Sequence, residues 1–529
     1  MIPIEDRPDR AAAEHPTAGP DAMPPLRPRI ALAPALLASA GLIAGWFPGA
    51  TAADDLARPA RGETPSGTPI RFLGANSCSA NACHNRGNFR GASELSVFEP
   101  KRFWEHQYWQ RFDPHVRAFE VLEGEESRRI EQNLRRLSSI ELAFPERDGL
   151  CLSCHVHQNF SGSEHGPAFA EADGVSCEGC HGASELWNSA HYQDGWKLLS
   201  PERKASYGFV PLDAMADRAR SCTPCHVGSS YEDPEHGLVD VNHDLIAAGH
   251  PRLNFEFASY HAQYPRHWND LAERGEDPAY EARAWVVGQL VTAESALRLL
   301  KARGMRSGAR PGDPGPLPLR GTLDSNPHAG PWPEFAEYNC YACHHDLRGG
   351  VPLAVGIASA VPGQLPWGSW SMPMVEVIGQ ELPPRGKDWS AIRSAIESEM
   401  TLPLPDPARV SSRVDEALAT IDAWLAEWDD RPIDSETVER LIATAVEQLR
   451  ESADPTWDRN AQVYLAMAAL YAAQGDLDPA RRDPAMAQTL DAMLNRLRFQ
   501  PGMNSPHEYR VESLEGVRSA IRPRASIEE

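Results

Sequence analysis

The ten cysteines of this 529-residue chain form five close pairs, and a histidine directly follows the second cysteine of every pair. The pairs are Cys78/Cys83, Cys151/Cys154, Cys177/Cys180, Cys222/Cys225 and Cys340/Cys343. The histidines that follow them are His84, His155, His181, His226 and His344. No cysteine is left over, so the fold has to accommodate five repeats of one chemical pattern.

Four of the five motifs have the spacing Cys-x-x-Cys-His, which is the attachment signature of c-type haem. The two thiols add to vinyl groups at one edge of the porphyrin, and the adjacent imidazole binds the iron as its proximal ligand. With 10 cysteines and 19 histidines in 529 residues, chance alone would produce on the order of 0.007 such motifs. The sequence therefore predicts covalently bound haem c.

The remaining motif, which begins at Cys78 and ends at Cys83-His84, has four residues between its thiols instead of two. A longer loop still reaches both vinyl groups, and the Cys-His ending is intact. The alternative is a disulfide with a bystander histidine. We interpret the motif as a fifth haem site, because the other four pairs set the context.

Zinc sites and structural disulfides are the general alternatives to haem. A zinc site draws four ligands from pairs of motifs, and five motifs do not divide evenly. Disulfides are common in exported proteins, but they do not explain a histidine after every second cysteine. Both alternatives fit the four strict motifs less well than haem attachment does.

The N-terminal segment has the layout of a secretory signal peptide. Two arginines precede the apolar run Ile30–Phe47, and a small-x-small cleavage site ends at Ala52. We predict a signal peptide over residues 1–53, with translation starting at Met1 or at Met23. The competing interpretation is an uncleaved anchor, because the run is near the short end of what spans a bilayer. Either way the protein is predicted to be periplasmic or otherwise exported.

The formal net charge of −23 limits the partners of the chain. It argues against nucleic acid, whose phosphates need many basic side chains, and against an anionic membrane surface. Membrane contact is expected only if the N-terminal segment is not cleaved. The predicted partner is a redox protein that presents a basic docking face.

The predicted fold is mostly α-helical and has two domains. Residues 54–70 are predicted to be a disordered lead-in to a haem-packed pentahaem domain, 71–385, with short helices, many Gly- and Pro-rich loops and few strands. One longer helix is predicted over Tyr280–Arg303 from its apolar spacing. Beyond it lies a C-terminal helical domain, 386–529, in which Ser435 is predicted to cap a helix.

Five of the 19 histidines are proximal ligands by this interpretation, which leaves 14. A second imidazole on an iron gives a six-coordinate electron-transfer haem, whereas an open position permits substrate binding. A helix between His243 and His250 would place both on one face, and one of them is a candidate for the haem at Cys340/Cys343. The candidate distal ligands are His106, His115, His165, His191, His236, His243 and His250.

Residues 76–228 resemble the family of the tetrahaem cytochrome that accepts electrons from hydroxylamine oxidoreductase. The resemblance implies that His115 and His191 are distal ligands. The segments that carry it are Asp113-Pro-His115-Val-Arg-Ala-Phe, Cys151-Leu-Ser-Cys-His155, Asp173-Gly-Val-Ser-Cys177-Glu-Gly-Cys-His181-Gly, Trp187-Asn-Ser-Ala-His191 and Cys222-Thr-Pro-Cys-His226.

The chain also departs from that family. It has a fifth motif, a lengthened spacer in the first motif and a large C-terminal domain, and it contains no Cys-x-x-Cys-Lys motif. In the family, the haem that corresponds to Cys151/Cys154 can lack a sixth protein ligand. Here His157 and His165 lie nearby in the sequence, so the position is either closed by one of them or open.

Two functions from different classes follow from these observations. The first is an exported pentahaem cytochrome that transfers electrons. The alternative is a multihaem oxidoreductase that acts on a small nitrogen or sulfur compound at one five-coordinate haem. A third role concerns the C-terminal helices alone, as a docking module that residues 388–529 provide without affecting the haems.

Overall fold

A computed structural model describes residues 70–86, 102–138, 149–156, 165–230, 232–233, 237–306, 330–340, 365–381, 388–428, 431–451 and 457–498. All of them belong to one compact unit, Arg58–Glu529. The predictions for the signal peptide, for His157 and His236, and for Cys343 and His344 lie outside the described residues.

Short helices joined by turns make up the first part of the chain, and they lead to one long helix. These helices are α1 Glu105–Phe112, α2 Glu125–Ser138, α3 Gly149–His155, α4 Cys177–His181, α5 Pro201–Ala205, α6 Met215–His226, α7 His243–Ala248, α8 Phe257–Gln263, α9 Leu271–Glu276 and α10 Tyr280–Arg306. In the described residues the sheet is a single antiparallel pair, β1 Glu232–Asp233 and β2 Gly237–Leu238. The prediction of a mostly α-helical fold with few strands is confirmed.

The second part of the chain consists of longer helices. They are α11 Pro373–Glu381, α12 Trp389–Met400, α13 Pro407–Trp428, α14 Ser435–Glu451, α15 Trp457–Leu477 and α16 Pro484–Leu497. The capping residue of α14 was predicted wrongly, because Ser435 is the first helical residue. The Asp434 carboxylate accepts a hydrogen bond from the Thr437 amide at 2.8 Å and so caps the helix. None of the helices that the structure describes is long and apolar enough to cross a membrane.

Helix α10 is the centre of the hydrophobic core. Trp285, Leu290 and Leu297 are fully buried on it, and the helix packs against α6 and α8 as well as α13 and α15. The side chains of all these helices belong to one apolar cluster. The C-terminal helices therefore build the same core as α10, and removing residues 388–529 would expose that core. The domain boundary near residue 385 stays a prediction.

The region of the first three motifs has much less apolar packing of its own. Among its described residues, Ile70 and Phe72 form one small cluster with Ala183. A second small cluster contains Leu122 and Leu152 together with Val156. Buried apolar area is the main source of folding free energy, so these two clusters alone give this region little to hold it together.

Candidate functional site

The three strict motifs that the structure describes in full stand at the ends of helices. Helices α3, α4 and α6 each end at the histidine of their motif, His155, His181 and His226. Residues three apart lie on the same face of a helix, so both thiols of each motif point to one side. The first motif differs, because a short 3₁₀ helix ends at Cys78 and a turn leads to Cys83, whose amide bonds the Ala80 carbonyl at 2.8 Å.

The fold brings the motifs together in two pairs. The thiols of Cys78 and Cys177 are hydrogen-bonded to each other, which places the first motif beside the third. Those of Cys154 and Cys225 are likewise in contact, which places the second motif beside the fourth. The nine cysteines that the structure describes are all free thiols, so these contacts are not disulfides.

The buried Glu178, between the two cysteines of the third motif, holds the first pair of motifs together. Its carboxylate accepts hydrogen bonds from the backbone amides of Leu73, Gly74 and Ser184 at 2.9, 2.7 and 2.7 Å. These bonds tie the segment before Cys78 to α4. Glu178 gives no recognisable signal in the sequence, because the residues between the two cysteines of a haem motif can be of any type.

Three motif histidines each have the ring of a second histidine opposite them. The ring centres of His84 and His191 are 6.0 Å apart, with nearly parallel planes. His226 and His115 are also 6.0 Å apart. The third distance, 6.3 Å, joins His181 and His267. Each of these motif histidines therefore faces an imidazole from a different segment of the chain.

These distances match the spacing of two imidazoles on one metal. An imidazole nitrogen lies about 2.0 Å from a first-row metal, and the ring centre is about 1.1 Å behind that nitrogen. Two histidines on opposite sides of one iron therefore have ring centres about 6.2 Å apart. Within the described part of the chain, no three metal-binding side chains converge on one point. These six histidines thus come in pairs, at a spacing that fits two ligands of one metal, rather than in a tetrahedral cluster.

Five histidines among the motif residues and the candidate distal ligands form a hydrogen bond through Nδ1, which leaves their Nε2 atoms free. Metal-binding histidines generally donate their other ring N–H to a carboxylate or a carbonyl, and this group does so. The acceptors are Glu105 for His84 at 3.1 Å, Asp113 for His115 at 2.8 Å, Ala118 for His155 at 2.7 Å, Asn188 for His191 at 2.8 Å and Pro251 for His250 at 2.8 Å.

Burial keeps the His181 imidazole neutral. Desolvation, together with the smaller effects of the nearby His267, His84 and His191, lowers its pKa to about 4. The two axial pairs of the first and third motifs are therefore close neighbours. A neutral imidazole is the form that binds a metal, so this environment suits ligation at neutral pH.

His267 is a candidate ligand that sequence analysis did not include. Burial lowers its pKa below the usual value, and its ring faces that of His181. It lies in a turn between α8 and α9, far along the chain from any described cysteine motif. The sequence around it gives no indication of which motif it faces.

The sequence candidates His106 and His165 do not face a motif histidine ring. His106 is buried on α1 beside Trp109, with ring centres 5.5 Å apart. His165 is exposed and stacks on Phe169 at 3.8 Å. Neither has a second imidazole at axial spacing among the described residues, and their assignment as ligands stays a prediction.

His243 and His250 do not share a helix face, contrary to the expectation from their spacing. Helix α7 ends at Ala248, and Gly249 adopts a φ of +122°, which L side chains rarely take. The chain therefore turns before His250. His243 instead begins α7, where its ring contacts Phe335 at 5.6 Å and its amide donates to Glu334 at 2.9 Å.

A buried carboxylate supports His115. Asp113 accepts from His115 Nδ1 at 2.8 Å and also from the hydroxyl of Tyr264. Although burial raises the pKa of Asp113, the hydrogen bonds from His115 and Tyr264 hold it below its usual value. Gly174 closes over this unit with a φ of +62°, because a Cβ there would lie 2.4 Å from the His115 carbonyl.

A cavity lies beside Arg252. Its volume is about 90 Å³, which is well below the range of cofactor pockets. Apolar side chains such as Phe255 and Trp370 line it, together with Arg252 and Arg303. Arg252 is near enough to Cys340 for their charges to interact.

Residues 80–182 match the family model for cytochrome c554 and c-prime. Neither the curated proteins nor the solved structures include a match to the chain. The match supports a c-type cytochrome with covalently bound haem c and a role in electron transfer. It covers the second and third motifs and the Cys83-His84 end of the first, and it leaves out the fourth and fifth.

The residues present fit haem c. Each of the motifs at α4 and α6 offers two thiols on one helix face, a proximal imidazole and a second imidazole at axial spacing. The rings are half-buried and lie among aromatic side chains, as at His226, which stacks on Phe255 at 5.1 Å. Such surroundings suit a large apolar macrocycle held by thioether bonds.

Proposed function

We propose that this chain is an exported pentahaem c-type cytochrome whose function is electron transfer. The observation that carries the proposal is the set of three axial histidine pairs at 6.0, 6.0 and 6.3 Å. A haem iron with two imidazole ligands supplies reversible one-electron transfer and has no position for a substrate. In this assignment the distal ligands His191, His267 and His115 serve the first, third and fourth motifs.

The contacts between motifs support passage of electrons from one haem site to the next. Cys78 contacts Cys177, and Cys154 contacts Cys225, so the sites form two adjacent pairs. Tyr264 is near enough to both Cys180 and Cys222 for their charges to raise the pKa of its hydroxyl, after the larger effect of burial. This residue thus lies between the two pairs.

We assign the fifth site to the region of Cys340. The cavity beside Arg252 reaches Val227, which directly follows the proximal histidine of the fourth motif. His243, whose ring contacts Phe335, is the candidate distal ligand on this side. The fourth and fifth sites would then be neighbours, which would extend the two pairs by one step.

The partner in this proposal is a redox protein with a basic face. The chain carries 74 acidic and 51 basic side chains, and opposite charges steer diffusing partners together at low salt. Electron transfer between this protein and its partner should therefore slow as ionic strength rises, because salt screens the attraction.

Haem content is the direct test of the proposal. Protein matured in a host that assembles cytochromes c should have a mass equal to the polypeptide plus five haems, and a low-spin spectrum in both oxidation states. Replacing both Cys78 and Cys83 with serine should remove one haem, and the matched replacement of Cys340 and Cys343 should remove another. Colourless protein with the mass of the bare chain would refute the assignment.

The buried Asp113 should lower the reduction potential of the haem at Cys222/Cys225. Its carboxylate pulls on the Nδ1 proton of His115, which makes that imidazole a stronger donor to ferric iron. Asp113→Asn keeps the shape but removes the charge, so we expect a rise on the order of 50 mV, where 59 mV is a tenfold change for one electron. Spectroelectrochemical titration measures the shift.

The control for this prediction is Tyr264→Phe. Without the Tyr264 hydroxyl, the Asp113 carboxylate keeps more of its charge for His115. The potential should therefore move in the opposite direction, by a smaller amount. Shifts of the same sign in both variants would contradict the mechanism.

One specific observation favours the alternative, an oxidoreductase with an open haem. His155 has no histidine ring at axial spacing among the described residues, unlike His84, His181 and His226. The two functions therefore differ in whether the haem at the second motif has a sixth ligand. A high-spin haem at Cys151/Cys154 that binds cyanide or nitric oxide would support the enzyme.

A further inference from the structure

A group of buried nitrogen atoms without hydrogen-bond partners lies at the end of α8 and in the turn that follows it. The group contains both ring nitrogens of His261, Arg266 Nε and the indole nitrogen of Trp268, and none of these atoms has a partner among the described residues. Buried polar groups in folded proteins are nearly always paired, and an unpaired one indicates a water, an ion or a ligand bound there. Several such atoms in one place therefore indicate a site for an acceptor.

Direct contacts join these three side chains into one site. The ring centres of His261 and Trp268 are 5.9 Å apart, and Arg266 Nη2 donates to the His261 carbonyl at 3.3 Å. His261 is only 6% exposed, so water from the bulk does not easily satisfy its ring. The unpaired nitrogens therefore surround a single buried region rather than separate places on the surface.

This site adjoins the histidine that faces the third motif. His267 stands between Arg266 and Trp268 in the chain, and its ring meets that of Trp268 edge to face, with centres 5.4 Å apart. On its other side the His267 ring faces His181, with centres 6.3 Å apart. A haem of the third motif would have its iron between these two histidines, so Arg266 and Trp268 flank its distal ligand.

The carboxylates around the site are already bonded to other groups. Asp270 pairs with Arg266 Nη1 at 2.8 Å and accepts from Arg274 Nε at 2.6 Å. Glu273 on α9 accepts from both terminal nitrogens of Arg218 at 3.0 and 3.2 Å. Neither carboxylate bonds the unpaired nitrogens, whose acceptor is therefore expected to come from a bound group.

The chemistry of the unpaired atoms defines the group that they would bind. The guanidinium of Arg266 and the indole of Trp268 can only donate hydrogen bonds, whereas a neutral imidazole both donates and accepts. A carboxylate can accept from both of these donors, and its bond with a guanidinium is charge-assisted and strong. The propionates of haem c are carboxylates at the edge of the macrocycle, and they are its strongest hydrogen-bond acceptors. The haem of the third motif would thus supply the missing acceptor.

We propose that Arg266 and Trp268 donate hydrogen bonds to a propionate of the haem at Cys177/Cys180, and that they thereby raise the reduction potential of this haem. The inference rests on the proposed function, since it requires haem attachment at the third motif. The physical reason is charge. A negative propionate near the iron stabilises its ferric state, and donors that offset this charge weaken the stabilisation. Arg266 and Trp268 are positioning residues, which hold the edge of the macrocycle and do not bind the iron.

The test compares Arg266→Met with Arg274→Met in the full holoprotein. Both changes remove one positive charge and one ion pair of Asp270, but the Arg274 donors are bonded to Asp270 and Glu281. In Arg266→Met the potential of the haem at Cys177/Cys180 should fall by about 59 mV, a tenfold change for one electron. Arg274→Met should shift it much less. Potentiometric titration measures the potential, and the haem is identified by its loss when Cys177 and Cys180 are both replaced with serine.

Resonance Raman spectroscopy gives a second measurement, because the bending band of a haem propionate responds to its hydrogen bonds. The band should shift in Arg266→Met and stay in place in Arg274→Met. Trp268→Phe keeps an aromatic ring against His267 and removes only the indole N–H. It should also shift the band and lower the potential, by a smaller amount, and it provides the test if the Arg266 variant fails to mature.

Three results would overturn the inference while leaving the proposed function intact. Equal shifts in the Arg266 and Arg274 variants would show a general effect of charge, and an unchanged potential and band in Trp268→Phe would exclude the indole as a donor. A wild-type potential that depends on acetate concentration at constant ionic strength would show that a free anion occupies the site. Haem count separates these results from failure of the proposed function, because a wild-type chain without haem at Cys177/Cys180 refutes the attachment itself.

Discussion

Replacing His267 with alanine should convert one low-spin haem per chain into a high-spin haem. The His267 ring is half-buried, and its centre lies 6.3 Å from that of His181. Without this imidazole the haem at Cys177/Cys180 loses a strong donor that stabilises its ferric state. We therefore expect its reduction potential to rise by on the order of 100 mV, with the other haems little changed.

Electron paramagnetic resonance and a potentiometric titration of each variant measure the two effects. The matched control is His261→Ala, which removes another buried histidine close by in the sequence. His261 packs against Phe257 and Tyr280 and does not face a motif histidine at axial spacing among the described residues. The ligand assignment fails if the His267 variant stays fully low-spin, or if the His261 variant loses low-spin haem.

Replacing Asp458 with alanine should destabilise the folded protein by about 3–5 kcal/mol, because it leaves a mostly buried arginine without its counterion. Arg252 bonds both carboxylate oxygens of Asp458, at 3.0 and 2.9 Å, with side-chain exposures of 18% and 2%. The Ser369 hydroxyl also donates to this carboxylate. Chemical unfolding of the holoprotein at fixed pH measures the loss.

Asp415→Ala is the matched control for this prediction. Asp415 pairs with Lys301 and also joins α10 to a C-terminal helix, but the carboxylate side chain is 55% exposed. Exposed pairs contribute at most about 1 kcal/mol, so this variant should be nearly as stable as the wild type. Equal losses in the two variants would show that Arg252 is not effectively desolvated.

The bonds that Arg252 and Ser369 make with Asp458 also bear on the role proposed for the C-terminal helices. Asp458 lies on α15, whereas Arg252 lies beside Cys340 and next to the cavity there. Trp370 and Trp457 stack across the same contact, with ring centres 5.9 Å apart. This packing therefore argues against the hypothesis that residues 388–529 form a docking module whose deletion leaves the haems unaffected.

The sequence predicted the helical class and the residues of the cysteine motifs without any knowledge of tertiary structure. The long helix that begins at Tyr280 was predicted correctly, because regular apolar spacing is typical of a buried helix. Its predicted end was Arg303, and in the structure it extends to Arg306. The cap at Ser435 and the shared face of His243 and His250 were wrong. In both cases local backbone geometry, at Asp434 and Gly249, decided the outcome.

The sequence by itself determined where haem is expected to attach, because two thiols and the proximal imidazole are neighbours in the chain and their spacing is a local chemical requirement. Only the tertiary structure decided which imidazole faces which motif. The two axial positions of an iron lie on opposite faces of the macrocycle, so a second ligand comes from another segment. No spacing rule connects His267 to His181, and packing of distant helices and turns brings them together.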